Sequence, residues 1–515
     1  MTAVLSVTPY QRRMITLFMI VGAIMVTMDS TIANVALPHM QASFSATQEQ
    51  VSWILTSYIV ATAIFTPLTA FLAGRIGYRL MLTFSFGGFA VASVLCANAT
   101  SVETMVLYRA IQGATGAAVF PLSQAIMLDI NTQEEYGPAM ALWGVGMMVG
   151  PIIGPIVGGY ITDLWGWPWI FYINVPIGLV AAFGIAQYLP DKELEDTPFD
   201  LTGFVLLALA IGSVQLMLDR GQSQDWFEST EIILEMSLFF LCAYMFVVHI
   251  NTKDNPFIEP ALFRDRNLCV GLLLSFTVGC TFVPAIALIP LFLQSLADYP
   301  AKLAGLILAP RGLGMMVGMF VVGRLIGRVD ERTLIAVGLI LSAAMLFRMA
   351  YFTPDVEMWT VVWTGFVQNF GMGLTFVPTS TLAYSTLAPH FRTPASGLYN
   401  LMRNVGTSMG VAMVFTILAR GIQENHARLA EEVTPFSETL FGPNMPQRFD
   451  LDQVPDLFIF DMMINREATI TAYQTDFLLM GAVTLVVLPF VWLMGHGNAA
   501  EAPPEAARNT EEATA

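Results

Sequence analysis

Long apolar runs recur along almost the whole chain, separated by short polar stretches. A window of roughly 19 residues, suited to a bilayer-crossing helix, finds fourteen such runs in 515 residues. The first seven lie near 14–36, 49–73, 79–98, 104–128, 137–162, 168–189 and 200–219. The others lie near 231–250, 268–292, 301–323, 332–352, 358–386, 395–419 and 473–495. The pattern predicts an all-α integral membrane protein with fourteen transmembrane helices.

The fifth run carries the most unusual stretch, Gly144–Gly159, read GVGMMVGPIIGPIVGG. Gly146, Gly150, Gly154 and Gly158 recur every fourth residue and so share one helix face. Two prolines, Pro151 and Pro155, follow two of them, and Gly144 and Gly159 flank the set. In water these residues would ruin a helix, because each proline deletes a donor and each glycine adds backbone entropy. Within a membrane bundle small side chains permit close approach and neighbours satisfy freed carbonyls. The expectation is a helix that packs tightly and bends, as in a membrane protein that moves.

Composition agrees: 55% of residues are hydrophobic and 12% charged, about half the usual charged share. Arg12 and Arg13 precede the first run, which reads as a signal anchor. The four cysteines lie in apolar runs and the five histidines are scattered, so the pattern offers no disulfide framework, metal site or cofactor. A net charge of -16 argues against nucleic acid as a partner.

Basic residues concentrate on the segments that share a side with the N-terminus, which predicts both termini in the cytoplasm. The longest segment on the other side, about 420–472, adds Arg420, Arg428, Arg448 and Arg466 without reversing that contrast. Leu72–Arg79 and Leu325–Arg332 both read L-x-G-R-x-x-x-R at short loops after the second and tenth runs. This points to duplicated six-helix halves, with runs 7 and 8 inserted between them. The expected units are 1–190, an inserted pair in 191–260, a second bundle in 261–497 and a disordered tail from 498. Two repeats around a midplane site suit alternating access.

Several stretches resemble the major facilitator superfamily, in particular its fourteen-helix drug:proton antiporter branch. Met28–Pro38 (MDSTIANVALP) resembles the branch's first-helix motif, and Leu107–Gly113 (LYRAIQG) its fourth-helix motif with a buried arginine. Gly146–Gly159 resembles the fifth-helix antiporter motif, while Trp169–Gly178 and Ala395–Leu398 match stretches typical of the branch. The overall likeness is to EmrB-type multidrug exporters. One departure is Gly74, which stands where the superfamily usually carries Asp before Arg; Gly327 fills the matching place in the second half. The resemblance implies a major facilitator fold and a proton-coupled exporter of the bacterial inner membrane. It also implies that 420–472 contacts a periplasmic adaptor leading to an outer-membrane channel, through short amphipathic helices.

Four charges lie at least five residues inside their runs: Asp29, Arg109, Arg311 and Arg403. Each costs about 2.5–3.5 kcal/mol at a helix centre, so unpaired decoration is a poor explanation. Asp29 lies seven residues and Arg109 five residues from the outer ends of their runs. At ~1.5 Å per residue both lie about 8–10 Å below one surface. The expectation is that Asp29 takes up a proton while Arg109 tunes it, against the alternative of a static ion pair that fixes packing. Arg403 is read as binding an anionic group or steadying the second bundle. Arg311, directly after Pro310, is read as satisfying carbonyls freed by that kink. Asn34, Gln112, Gln368 and Asn369 are candidate substrate contacts, although such residues also serve as interhelical hydrogen bonders.

Export of amphipathic drugs or toxic metabolites, driven by inward proton flow, is therefore the leading expectation. Uptake by proton symport is the alternative within the same class. A membrane enzyme would need a nucleophile, metal or acid–base constellation inside the bundle, and a receptor would need a folded signalling domain.

Overall fold

The computed structural model describes residues 7–132, 135–191, 199–254, 256–432 and 454–495. Helix α1 spans Pro9–Phe44, α2 Gln48–Phe65, α3 Leu68–Ile76, α4 Tyr78–Ala97, α5 Val102–Gly116 and α6 Val119–Ile130. Then come α7 Tyr136–Trp165, the short α8 Trp169–Tyr172, α9 Asn174–Tyr188, α10 Leu201–Arg220 and α11 Thr230–Thr252. The second half holds α12 Arg266–Ser295, α13 Ala301–Leu325, α14 Glu331–Met349, α15 Met358–Ser385 and α16 Arg392–Glu432. It ends with α17 Val454–Val486 and the short α18 Leu488–Val491.

Local chemistry sets many of the helix ends. Thr8 with Gln11, Thr47 with Gln50 and Ser101 with Thr104 form capping boxes at the starts of α1, α2 and α5. Pro67 separates α2 from α3, and the chain bends by 57° there. Gly77 and Gly327 turn the chain with φ of 86° and 83°, a region that glycine enters without a Cβ penalty. The repeated L-x-G-R motif is thus placed differently in the two halves. Gly74 is still inside α3, whereas Gly327 follows the end of α13.

Among the described residues, twelve helices are long and apolar enough to cross a membrane, or thirteen with the bent α2–α3 pair. The 28-residue α15 is long enough too, but Gln368 and Asn369 at its centre lower its hydropathy. Counting it makes the fold compatible with fourteen spans. Helix α7 runs unbroken through Pro151 and Pro155, whereas the chain breaks at Pro67 between α2 and α3.

The stretch expected as an outer loop, 420–472, is helical wherever it is described. Helix α16 continues to Glu432 and α17 already begins at Val454, while 433–453 lie outside the described residues. In the described parts these are long helical extensions, and the rest of the stretch expected to hold short amphipathic helices lies outside the described residues. His426 and Asp461, 2.9 Å apart, join the two extensions. The tail expected from 498 onward also lies outside the described residues.

Within the first half α1 packs on α7, α2 on α5, and α4 on α9; in the second, α13 and α14 pack on α15 and α12 on α16. The halves meet where α7 lies along α13 and α6 lies along α16. One large buried apolar cluster spans this junction, joining Trp143 and Met147 of α7 to Met315 and Met319 of α13 and Phe376 of α15. Small residues permit the approach: a Cβ on Gly144 would lie 2.9 Å from Met319 Sδ, and one on Gly312 2.2 Å from Ile152.

Candidate functional site

Five helices of the first half converge on one carboxyl group. Asp29 on α1 is 2% exposed and Arg109 on α5 is fully buried. Arg109 Nη1 donates to Asp29 Oδ2 at 2.7 Å. The other carboxylate oxygen, Oδ1, accepts from Gln112 Nε2 at 3.0 Å and from Asn174 Nδ2 at 2.6 Å. Gln112 is one turn along α5 from Arg109, so both reach the same place, and Asn174 opens α9.

Further contacts tighten the network. Gln112 accepts from Arg109 Nη1 at 2.6 Å and donates to Ser93 Oγ of α4 at 2.8 Å. Arg109 Nε donates to the Ile54 carbonyl of α2 at 3.2 Å. The guanidinium also lies over the Tyr58 ring, 4.3 Å from its centroid, a cation–π contact that holds the plane of the fork. The carboxyl group accepts three hydrogen bonds in all, one of them from a guanidinium. Oδ1 is filled by its two donors, whereas Oδ2 holds the guanidinium alone.

The glycine face of α7 presses on α1 beside this network. A Cβ on Gly150 would stand 2.0 Å from Thr27 Oγ1, and one on Gly154 2.2 Å from Thr31 Oγ1. Gly146 meets Ile20 and Gly158 meets Ile32 in the same way, whereas Gly159 has its nearest neighbour at 4.0 Å. Pro151 cannot bond the Met147 carbonyl one turn back, and Thr27 Oγ1 lies 3.2 Å from that oxygen.

The other expected residues are spread out. Gln112 belongs to the Asp29 network. Asn34 is exposed and donates to the Ser30 carbonyl of its own helix, at 3.1 Å. Gln368 and Asn369 are buried on α15, where Asn369 donates to the Gly365 carbonyl of its own helix at 2.9 Å. Arg403 donates to Asn400 Oδ1 at 2.8 Å and lies between the Phe120 and Phe376 rings, within 6 Å of each centroid (5.9 and 5.8 Å). Arg311 departs from its expected role. It reaches the Ala285 carbonyl of α12 and Gln368 of α15, not a carbonyl freed by Pro310 on its own helix.

Two features escaped sequence reading. Asp129 at the end of α6 is fully buried, and Arg392 Nη1 of the second half donates to it at 3.0 Å. Tyr78 Oη lies 3.3 Å from Asp129 Oδ2 and 2.7 Å from Thr393 Oγ1, while Asn400 donates to Gln124 across the same junction at 2.8 Å. Asp476 on α17 is also fully buried, and neither of its oxygens has a hydrogen-bond partner among the described residues. Charges at the drawn edges of runs were the signal for both.

Two packed helical halves, one of them burying an ion pair among its helices, have the architecture of a membrane transporter. The chain belongs to the Major Facilitator Superfamily, whose profile matches residues 19–411. It is 34% identical over 487 residues to the multidrug export protein EmrB of Escherichia coli strain K12, covering 93% of this chain and 94% of that one. It is 33% identical over 483 residues to the fatty acid resistance protein FarB of Neisseria gonorrhoeae, covering 93% and 95%. Among solved structures, the proton:xylose symporter XylE matches with a TM-score of 0.62 and 14% identity over 94% of this chain and 95% of that one. The human organic anion transporter MFSD10 matches at 0.61 and 13% over 94% and 100%. These two likenesses show the fold.

Proposed function

We propose that the protein is a proton-coupled antiporter that exports amphipathic compounds, drugs among them, across the bacterial inner membrane by alternating access. The Asp29 network is the observation that carries this reading. A carboxyl that links α1 to α5 and α9 inside the hydrocarbon layer couples its own protonation to helix packing, because a proton gained there removes the charge that holds Arg109. Full-length similarity to multidrug export proteins supports outward traffic of varied substrates. Asp29 and Arg109 are assigned to proton coupling. Gln112 moves from the expected substrate contacts to that engine, leaving Asn34, Gln368, Asn369 and Arg403 as substrate-lining candidates.

With the termini in the cytoplasm, as the basic residues suggest, the Asp129–Arg392 junction is the inner gate and the structure is inward-closed. In this reading 1–190 and 261–497 are the moving halves. The pair in 191–260 bridges them: Gln215 and Asp219 of α10 bond Ser408 of α16 and Thr56 of α2, and Trp226 Nε1 donates to Thr416 at 3.1 Å. At the inner end of that pair burial alone would raise the Asp200 carboxyl. Hydrogen bonds from Lys253, Gly203 N, His249 and Phe257 N nevertheless hold it well below the usual carboxylate range. The anchor thus stays charged at any physiological pH.

The α16 and α17 extensions are the proposed dock for a periplasmic adaptor and its outer-membrane channel. Phe458, Met462 and Met463 are exposed there, at 62%, 50% and 53%, which supports a protein partner. Transport is tested in proteoliposomes with an imposed pH gradient. Accumulation of a lipophilic dye that a protonophore abolishes is expected. Equal accumulation without a gradient would refute proton coupling.

A further inference from the structure

One end of a buried amide beside Asp29 is unused. Asn174, fully buried at the start of α9, donates from Nδ2 to Asp29 Oδ1 at 2.6 Å and to Ser93 Oγ at 3.4 Å. Its Oδ1 has no hydrogen-bond partner among the described residues, and a buried amide oxygen without a donor is costly. Gln112, the other amide on the same carboxylate oxygen, is used at both ends. Its Nε2 donates to Asp29 Oδ1 at 3.0 Å and to Ser93 Oγ at 2.8 Å, and its Oε1 accepts from Arg109 Nη1 at 2.6 Å.

This difference matters when Asp29 takes up a proton. A carboxylate only accepts, whereas the acid also donates through its O–H, and a buried O–H without an acceptor is penalised. The hydrogen-bond partner of Oδ2 is the Arg109 guanidinium, which offers donors alone. On the Oδ1 side, turning Gln112 would aim its NH2 group at that guanidinium, donor against donor. Turning Asn174 about its last side-chain bond gives up only the long contact to Ser93 besides the tie to Asp29 that it replaces. That torsion is soft and roughly two-fold, and the two ends of the amide are nearly alike in size. The turn exchanges an orphaned oxygen for an orphaned nitrogen, so each orientation leaves one buried group unpartnered.

From this we infer that Asn174 is a two-position partner of the proton site, donating to Asp29 when it is ionised and accepting from it when it is protonated. A proton from the aqueous phase adds to Asp29 Oδ1 and neutralises the carboxylate; Asn174 turns, and its carbonyl oxygen accepts the new O–H. This assignment rests on the proton-coupling reading and deepens it. Protonation takes the counter-charge from Arg109 on α5, while Asn174 keeps α9 tied to α1, so α1 loosens on one side only.

Infrared difference spectra of the purified full chain in phosphatidylcholine vesicles, taken between alkaline and acid pH, follow both partners. The protein carries asparagine labelled with carbon-13 at the side-chain carbonyl. Acidified wild type should show a carboxyl C=O band that Asp29→Asn lacks. An isotope-sensitive asparagine carbonyl band should move to lower frequency at the same time, because an unpartnered carbonyl has become an acceptor. Asn174→Leu should lack that moving band. A stationary or raised asparagine band alongside the Asp29 carboxyl band would overturn the switch and leave Asp29 as the proton carrier. Persistence of the moving band in Asn174→Leu would do the same. The Asp29 carboxyl band also supplies a titration that a mere packing role would not move. Asn174→Leu should shift its pH midpoint by about half a unit or more, and Asn174→Ser, whose hydroxyl both donates and accepts, should return it toward wild type. An unshifted midpoint in Asn174→Leu would overturn the switch. Absence of an Asp29 carboxyl band at every pH would overturn the switch and proton coupling together. If the bands behave as expected but liposomes show no gradient-driven accumulation, the export reading fails while the switch stands.

Discussion

Asp129 and Arg392 stand 263 residues apart, in opposite halves of the molecule, and meet at 3.0 Å. Removing one member of a buried pair costs about 3–5 kcal/mol, because the other is left without its counter-charge. Asp129→Asn should therefore weaken the closure at this end and, in the proposed orientation, shift the molecule toward an inward-open form. Spin labels at Ala46 and Asp298, on loops after α1 and α12 at the opposite end of the two halves, report this with the four cysteines replaced by serine. The distance between them should shorten in the variant. An unchanged distribution would show that the apolar cluster alone holds the gate.

The α1–α7 seam makes a second, purely steric prediction. Gly150→Ala puts a methyl group where Thr27 Oγ1 already stands, whereas Gly159→Ala meets nothing nearer than 4.0 Å. Overpacking of this kind costs about 1–3 kcal/mol. The thermal midpoint of the purified protein should fall for Gly150→Ala and stay near wild type for Gly159→Ala.

Asp476 is a buried carboxyl without hydrogen-bond partners among the described residues. Burying such a group costs about 1–3 kcal/mol, which an apolar side chain avoids. Asp476→Leu should raise the thermal midpoint. A lowered midpoint would reveal a partner beyond the described residues.

The adaptor dock is tested by separating cells from liposomes. Phe458→Asp together with Met462→Asp should leave transport by purified protein intact while sharply reducing drug resistance in whole cells. Undiminished resistance would end the docking proposal.

Much of the fold was legible because hydrocarbon imposes its own length on each helix, and the two inserted helices were placed within about two residues of α10 and α11. The Asp29–Arg109 pair was legible for a similar reason: deep charges are rare, and equal depth implies contact. Asn174 and Ser93 were not, because uncharged polar residues are common in bundles and only the fold shows which ones converge. Asp129 lay one residue beyond a drawn edge, and Arg392 stands between the twelfth and thirteenth runs, where a cation is ordinary. Asp476 was hidden by the start assigned to the last run, since hydropathy cannot see a helix that continues past the membrane through charged turns. Arg311 was misread because a nearby proline offered a local explanation, whereas its partners are on α12 and α15.

The central claim is that Asp29 carries the transported proton. Its most direct test is proton release from purified protein when substrate is added, measured with a pH-indicator dye in weakly buffered solution. Wild type should release protons in proportion to substrate bound, and Asp29→Asn should bind substrate and release none. A folded Asp29→Asn protein that releases as many protons as wild type would contradict the account.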